Sequence, residues 1–130
     1  MILARGIDEI ENTFDFTDSI VTDVRWVNHL RDLSIRLDYY WDIQEGKRET
    51  RELTLVFQHC LKAEFHMPKE LFHLPESVRN IDSWFTIVSV KRAESGQQDA
   101  SGWHRMNIYT FDYKTPWATI VCREVILEQR

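Results

Sequence analysis

From residue 33 to 43 the chain reads "LSIRLDYYWDI", with Leu33, Ile35, Leu37, Tyr39, Trp41 and Ile43 on one parity and Ser34, Arg36, Asp38, Tyr40 and Asp42 on the other. Successive side chains of a strand point to opposite sides, so a two-residue period predicts an extended strand with one buried face. The first set is expected to be a wall of the core. The second, with Asp38, Tyr40 and Asp42, is expected to be free to meet a partner. Just upstream, "SIVTDVRWV" puts Ile20, Thr22, Val24 and Trp26 on one side with Asp23 and Arg25 opposite, and "NHLRD" turns the chain between the two runs. The pair predicts a hairpin.

The alternation resumes in "ELTLVFQHCLKAEFHM", where His59 breaks the phase. So long a run is expected to bend midway or carry a bulge, because strands seldom exceed about ten residues. "PKELFHLPESVRN" loses the rhythm between two prolines and predicts a crossing loop with at most a short helical turn near 69–74. "SWFTIVSVKRA" is apolar on both faces, the pattern of a central, doubly covered strand. After a polar loop, "ESGQQDASG", come "WHRMNIYTFDY" and "ATIVCREVIL". The whole predicts one all-β domain over residues 1–130, an antiparallel β-sandwich or strongly curved meander of about six to eight strands. "RDLSIRL" and "RELTLVF" echo each other, as neighbouring strands with the same in/out demand should.

Composition changes this picture little. The 130 residues are 43% hydrophobic and 28% charged, ordinary for a soluble globular chain. The formal charge of -5 is uneven, with Asp8, Glu9, Glu11, Asp15, Asp18 and Asp23 set against Arg5 in the first 23 residues. An acidic excess argues against nucleic acid, whose phosphates need Lys and Arg to displace their counterions. No run of apolar residues is long enough for a membrane span, and "MILARGIDEI" is too short for a signal peptide, so a cytoplasmic protein is expected. Cys60 and Cys122 are then expected as reduced thiols.

Catalytic signatures fall short. Four glycines leave no P-loop, dinucleotide fingerprint or nucleophile elbow. His59, His66 and His73 recur every seven residues near Glu70, but an odd separation flips the face of a strand, so neither metal nor cofactor is expected. An enzyme would need an unsuspected cluster of His66, Glu70, His73 and the N-terminal acids. A further face mixes rings with polar groups: Trp103, Arg105, Asn107 and Tyr109, continued by Phe111 and Tyr113, suit a sugar or a small ligand. The competing expectation is that these rings fill the core while His104, Met106 and Ile108 face a second layer.

"FTDSIVTDVRW", "LSIRLDYYWDI" and "LTLVFQHCLKAEF" together resemble a family of small bacterial all-β proteins that open on Phe-His-Asp-Ser, some of whose relatives are classed as immunity proteins of polymorphic-toxin loci. The resemblance covers roughly residues 14–67. Phe16, Asp18 and Ser19 match the opening, and Thr17 stands where the family has His. It carries over no catalytic residue and implies a protein that works by binding. The leading expectation is therefore a non-catalytic interaction protein whose partner is another protein, such as a basic toxin domain. Its contacts would be Asp15, Asp18, Asp38, Tyr40 and Asp42. The alternative is a ligand-binding sandwich using the face around Trp103.

Overall fold

A computed structural model describes residues 1–67, 85–92, 102–110 and 114–129. The elements run β1 (Ile2–Arg5), α1 (Ile7–Thr13), β2 (Ile20–Val27), β3 (Asp32–Tyr39), α2 (Trp41–Gln44), β4 (Arg51–Gln58), β5 (Lys62–Phe65), β6 (Ser89–Arg92), β7 (His104–Tyr109), β8 (Ala118–Cys122) and β9 (Glu124–Gln129). Two antiparallel sheets, in the orders β1-β9-β4-β3-β2 and β5-β8-β7-β6, face each other across one core. The expected all-β, sandwich-like architecture is what the chain adopts, with nine strands among the described residues.

The period-two reading of β3 holds for Leu33, Ile35, Leu37 and Tyr39, all buried. Their partners across β4 are Phe57, Leu55, Leu53 and Arg51, so the echoing segments lie side by side in opposite directions. Each fully buried Leu, Ile or Phe contributes about 1.5–3 kcal/mol by leaving water. From the other sheet, Met106, Ile108, Ala118, Ile120 and Cys122 close the core.

The expected bend in the fourth strand falls at His59, whose φ of 50° lies in the left-handed region. The paired ribbon of β4 and β9 turns this corner and continues in the other sheet as β5 and β8. Gln58 pairs with Glu124, Arg123 N donates to Gln58 O at 3.0 Å, Leu61 N donates to Val121 O at 2.8 Å, and Lys62 pairs with Val121. Two strands thus switch sheets together and make a corner of the sandwich.

Four expectations need correction. In β2 a bulge between Val21 and Asp23 resets the phase, so Val21 and Val24 pair with the buried Leu37 and Ile35, while Ile20 pairs with Asp38 on the outer face. The run 85–92 is not a central strand among the described residues: Ile20 bridges to Thr86, Val88 N donates to Tyr109 O, and β6 is the edge of its sheet there. Its two apolar parities belong to a segment that passes from one sheet to the other. Trp41 and Ile43 leave the strand, because the chain coils into α2 directly after Tyr40. Finally, a helix forms at Ile7–Thr13, burying Ile7 and Ile10 three residues apart and placing Asp8 and Glu9 in its first turn, where the helix dipole favours negative charge. Gly6 starts it with φ 84° and ψ 149°, a backbone state essentially reserved for glycine. The helical turn expected near 69–74 lies outside the described residues. Among the described residues, no helix is long and apolar enough to cross a membrane.

Candidate functional site

Four of the five acidic and aromatic residues singled out in the sequence come together at one end of the larger sheet. Tyr40 N donates to the buried Ser19 Oγ at 3.0 Å, which ties the end of β3 to the start of β2. Asp15 N donates to Tyr39 Oη at 3.1 Å, and Asp15 Oδ1 accepts from Thr17 N at 2.9 Å. Asp18 sits at φ 68° with its N–H donating to Ile87 O, and Asp38 lies across from Ile20 in register. Asp15, Asp18 and Tyr40 are exposed, Asp38 is half-buried, and among the described residues none of the three carboxylates forms an ion pair. Below them Phe14, Phe16 and Tyr39 pack with centroid separations of 5.7–6.4 Å, giving this acidic pole a rigid aromatic floor.

Asp42 does not join them. Its side chain is 0% exposed. The helical turn α2 swings it inward, and Arg51 holds both oxygens, with Nε on Oδ2 at 2.9 Å and Nη2 on Oδ1 at 3.0 Å. Arg51 N adds a third bond at 3.0 Å and Lys47 Nζ a fourth at 3.2 Å. Desolvation pushes the Asp42 carboxyl up, but the bonds from Arg51 and Lys47 outweigh it and hold the group below the ordinary aspartate range. Arg51 also lies 5.5 Å from the Tyr39 ring centroid. Asp42 is therefore a staple for the β3–β4 connection and unavailable to a partner.

The face around Trp103 is the reverse of the core expectation. Met106 and Ile108 are fully buried, so Arg105, Asn107 and Tyr109 point to the other side of their sheet. These groups are largely engaged with neighbours: Arg123 lies 4.9 Å from the Trp103 ring centroid, Asn107 Oδ1 accepts from Thr119 Oγ1, and Lys91 lies 6.0 Å from the Tyr109 ring. Phe111 and Tyr113 lie outside the described residues.

His66 is exposed with Nε2 3.8 Å from Glu64 Oε2, and His59 occupies the corner. Glu70 and His73 lie outside the described residues. Among the described residues, no three His, Cys, Asp or Glu side chains are placed to hold a metal ion. Cys60 and Cys122 are free, and burial pushes the Cys122 thiol up to about 12, so it stays protonated.

Sequence reasoning missed one feature beside the acidic pole. A cleft of about 340 Å³ opens between α1 and the sheets, walled by Ile7, Ile10, Phe14, Phe16, Val90 and Met106, with Glu11, Asp15 and Lys91 also lining it. The signal was the i, i+3 spacing of Ile7 and Ile10 behind a glycine, which acidic neighbours obscured. Comparison with protein-family models, curated proteins and solved structures finds no match to this chain.

Proposed function

We propose that this chain is a non-catalytic interaction protein that docks a basic surface of another protein on its acidic pole. Toxin neutralisation of the immunity type is the biological form suggested by the sequence resemblance. The observation that carries the reading is that Asp15, Asp18, Asp38 and exposed Tyr40 lie on segments tied together at one end of the larger sheet by hydrogen bonds and strand pairing. Carboxylates with no ion pair among the described residues have none of those to break before docking. Held near one another, they attract a cationic surface and raise its encounter rate. Tyr40 supplies a ring that is 37% exposed and close to a rigid floor, the type of side chain that anchors interfaces at low entropic cost.

The test is affinity capture from the native host with three versions of the chain. The wild type should retain a basic protein. The double variant Asp18→Lys/Asp38→Lys should lose it, and Glu124→Lys, at the opposite corner, should keep it. Retention of the same partner by the double variant, or no specific partner at all, would reject the reading. The capture should also weaken as salt rises through the physiological range, where screening shortens to about 8 Å.

A further inference from the structure

The cleft beneath α1 poses a different question, because its walls and mouth have opposite characters. Ile10 and Met106 are among the most buried of the described residues, yet the space they border is not filled by the described side chains. An apolar wall left to water is unfavourable, and a preformed apolar hollow is where a small molecule gains most from leaving solvent. At roughly 30 Å³ per small group, the share of liquid volume taken by one water, the cleft holds on the order of ten non-hydrogen atoms.

The charged groups decide what kind of molecule. Glu11 lines the cleft, is exposed and makes no side-chain hydrogen bond or ion pair among the described residues. Asp15 lines it too and commits Oδ1 to Thr17 N. The one cation among the described lining residues, Lys91, places Nζ near the ring of Tyr109, where the π face attracts it. Two carboxylates are therefore set against one ammonium group that already has a neighbour. We propose that the cleft is a binding site for a small amphiphile with an apolar body and a protonated amine head, the body lying against Ile10, Phe14 and Met106 and the ammonium held by Glu11 and Asp15. This site does not depend on the docking of a protein partner at the acidic pole.

The probes are 2-phenylethylamine, 2-phenylethanol and phenylacetate, which share a ring and differ in head charge. Each is titrated into the full chain at neutral pH while the methyl NMR signals of Ile7, Ile10 and Met106 are followed. The amine should shift these signals and bind about two- to fivefold more tightly than the alcohol, fivefold being the upper worth of an ion pair at an exposed mouth, with phenylacetate weakest. Glu11→Gln, on the exposed side of α1, should weaken the amine about two- to fivefold and leave the alcohol unchanged. Asp18→Lys/Asp38→Lys should leave the cleft signals responsive to the amine, which separates this site from protein docking. The proposal is overturned by binding of the amine no tighter than that of the alcohol, by shifts confined to other methyl groups, by an unchanged preference in Glu11→Gln, or by no binding of any probe.

Discussion

Two buried aspartates bracket β3, and they are satisfied by different chemistry. Asp42, just past its C-terminal end, sits among cations: the guanidinium and backbone N–H of Arg51 and the ammonium of Lys47. Asp32, its first residue, is bonded by neutral donors, with Asn28 Nδ2 on Oδ2 at 2.6 Å and His59 N on Oδ1 at 2.9 Å. The first staples one loop to itself. The second joins two turns, because His59 belongs to the β4–β5 corner while Asn28 opens the β2–β3 turn, and Cys60 N donates to Arg31 O at 2.7 Å beside it. A buried carboxylate can thus serve as the hub of a charged cluster or as a bracket between backbone segments, and the two uses should fail differently.

Removing the charged hub should have the largest effect. Asp42→Ala leaves Arg51 without its bidentate partner and opens the loop, and breaking a buried pair costs about 3–5 kcal/mol. The lower end is expected here, because the Arg51 and Lys47 side chains are 31% and 52% exposed and can be rehydrated. Denaturant unfolding measures it, and a loss under about 1 kcal/mol would show that the cluster is ornamental. The same group sets an acid limb. Its folded pKa is depressed, so its contribution is complete above the ordinary aspartate value of 3.8 and is lost as pH falls from there through the folded value. That part of the acid destabilisation should vanish in Asp42→Ala. An acid limb unchanged in the variant would assign it to other carboxylates.

The contrast also marks how much was legible in the sequence. The strand rhythm of β3 and β4 was readable because one parity is apolar and the other polar, and His59 announced the corner by breaking that rhythm. Asp42 was not, because period two holds only while the chain stays extended, and nothing local says that α2 begins after Tyr40. In β7 both parities carry large apolar groups, so alternation fixed the strand but not which side faces inward, and the choice fell to Met106 and Ile108. In β2 one bulged residue put Ile20 on the face opposite Val24 and Trp26. The acidic residues could be chosen from sequence, but their convergence depends on bonds to Ser19 and Tyr39 from distant segments.

The neutral bracket is sharpened by a smaller change. Asp32→Asn keeps the shape of the side chain but replaces one acceptor oxygen with an amide donor, so either Asn28 Nδ2 or His59 N meets a donor instead of an acceptor. Leaving one such group unsatisfied costs about 1–2 kcal/mol. Hydrogen exchange should reveal where: the amides of His59 and Cys60 should lose protection together with that of Arg31, while the Arg51 amide at the other end stays protected. Loss of protection at Arg51 as well would mean that the two ends of β3 unfold as one unit and the comparison between them fails.

The smallest effect tests whether the bracket holds strain. Asn28, His29 and Leu30 are all left-handed, with φ values of 54°, 60° and 67°, although Leu30 is not among the residue types enriched there. Leu30 is 74% exposed, so its side chain contributes little burial to offset the roughly 1–2 kcal/mol cost of that backbone state. Leu30→Gly removes the strain, while the greater freedom of glycine in the unfolded chain returns part of the gain. The net expectation is a stabilisation of about 0.5–1 kcal/mol. If Asp32 is what forces the turn into this shape, the turn relaxes once the bracket is weakened, and the same substitution made in Asp32→Asn should gain less. Equal gains in both backgrounds, measured as a double-mutant cycle, would show that the hairpin register alone imposes the left-handed turn and that Asp32 serves only the corner.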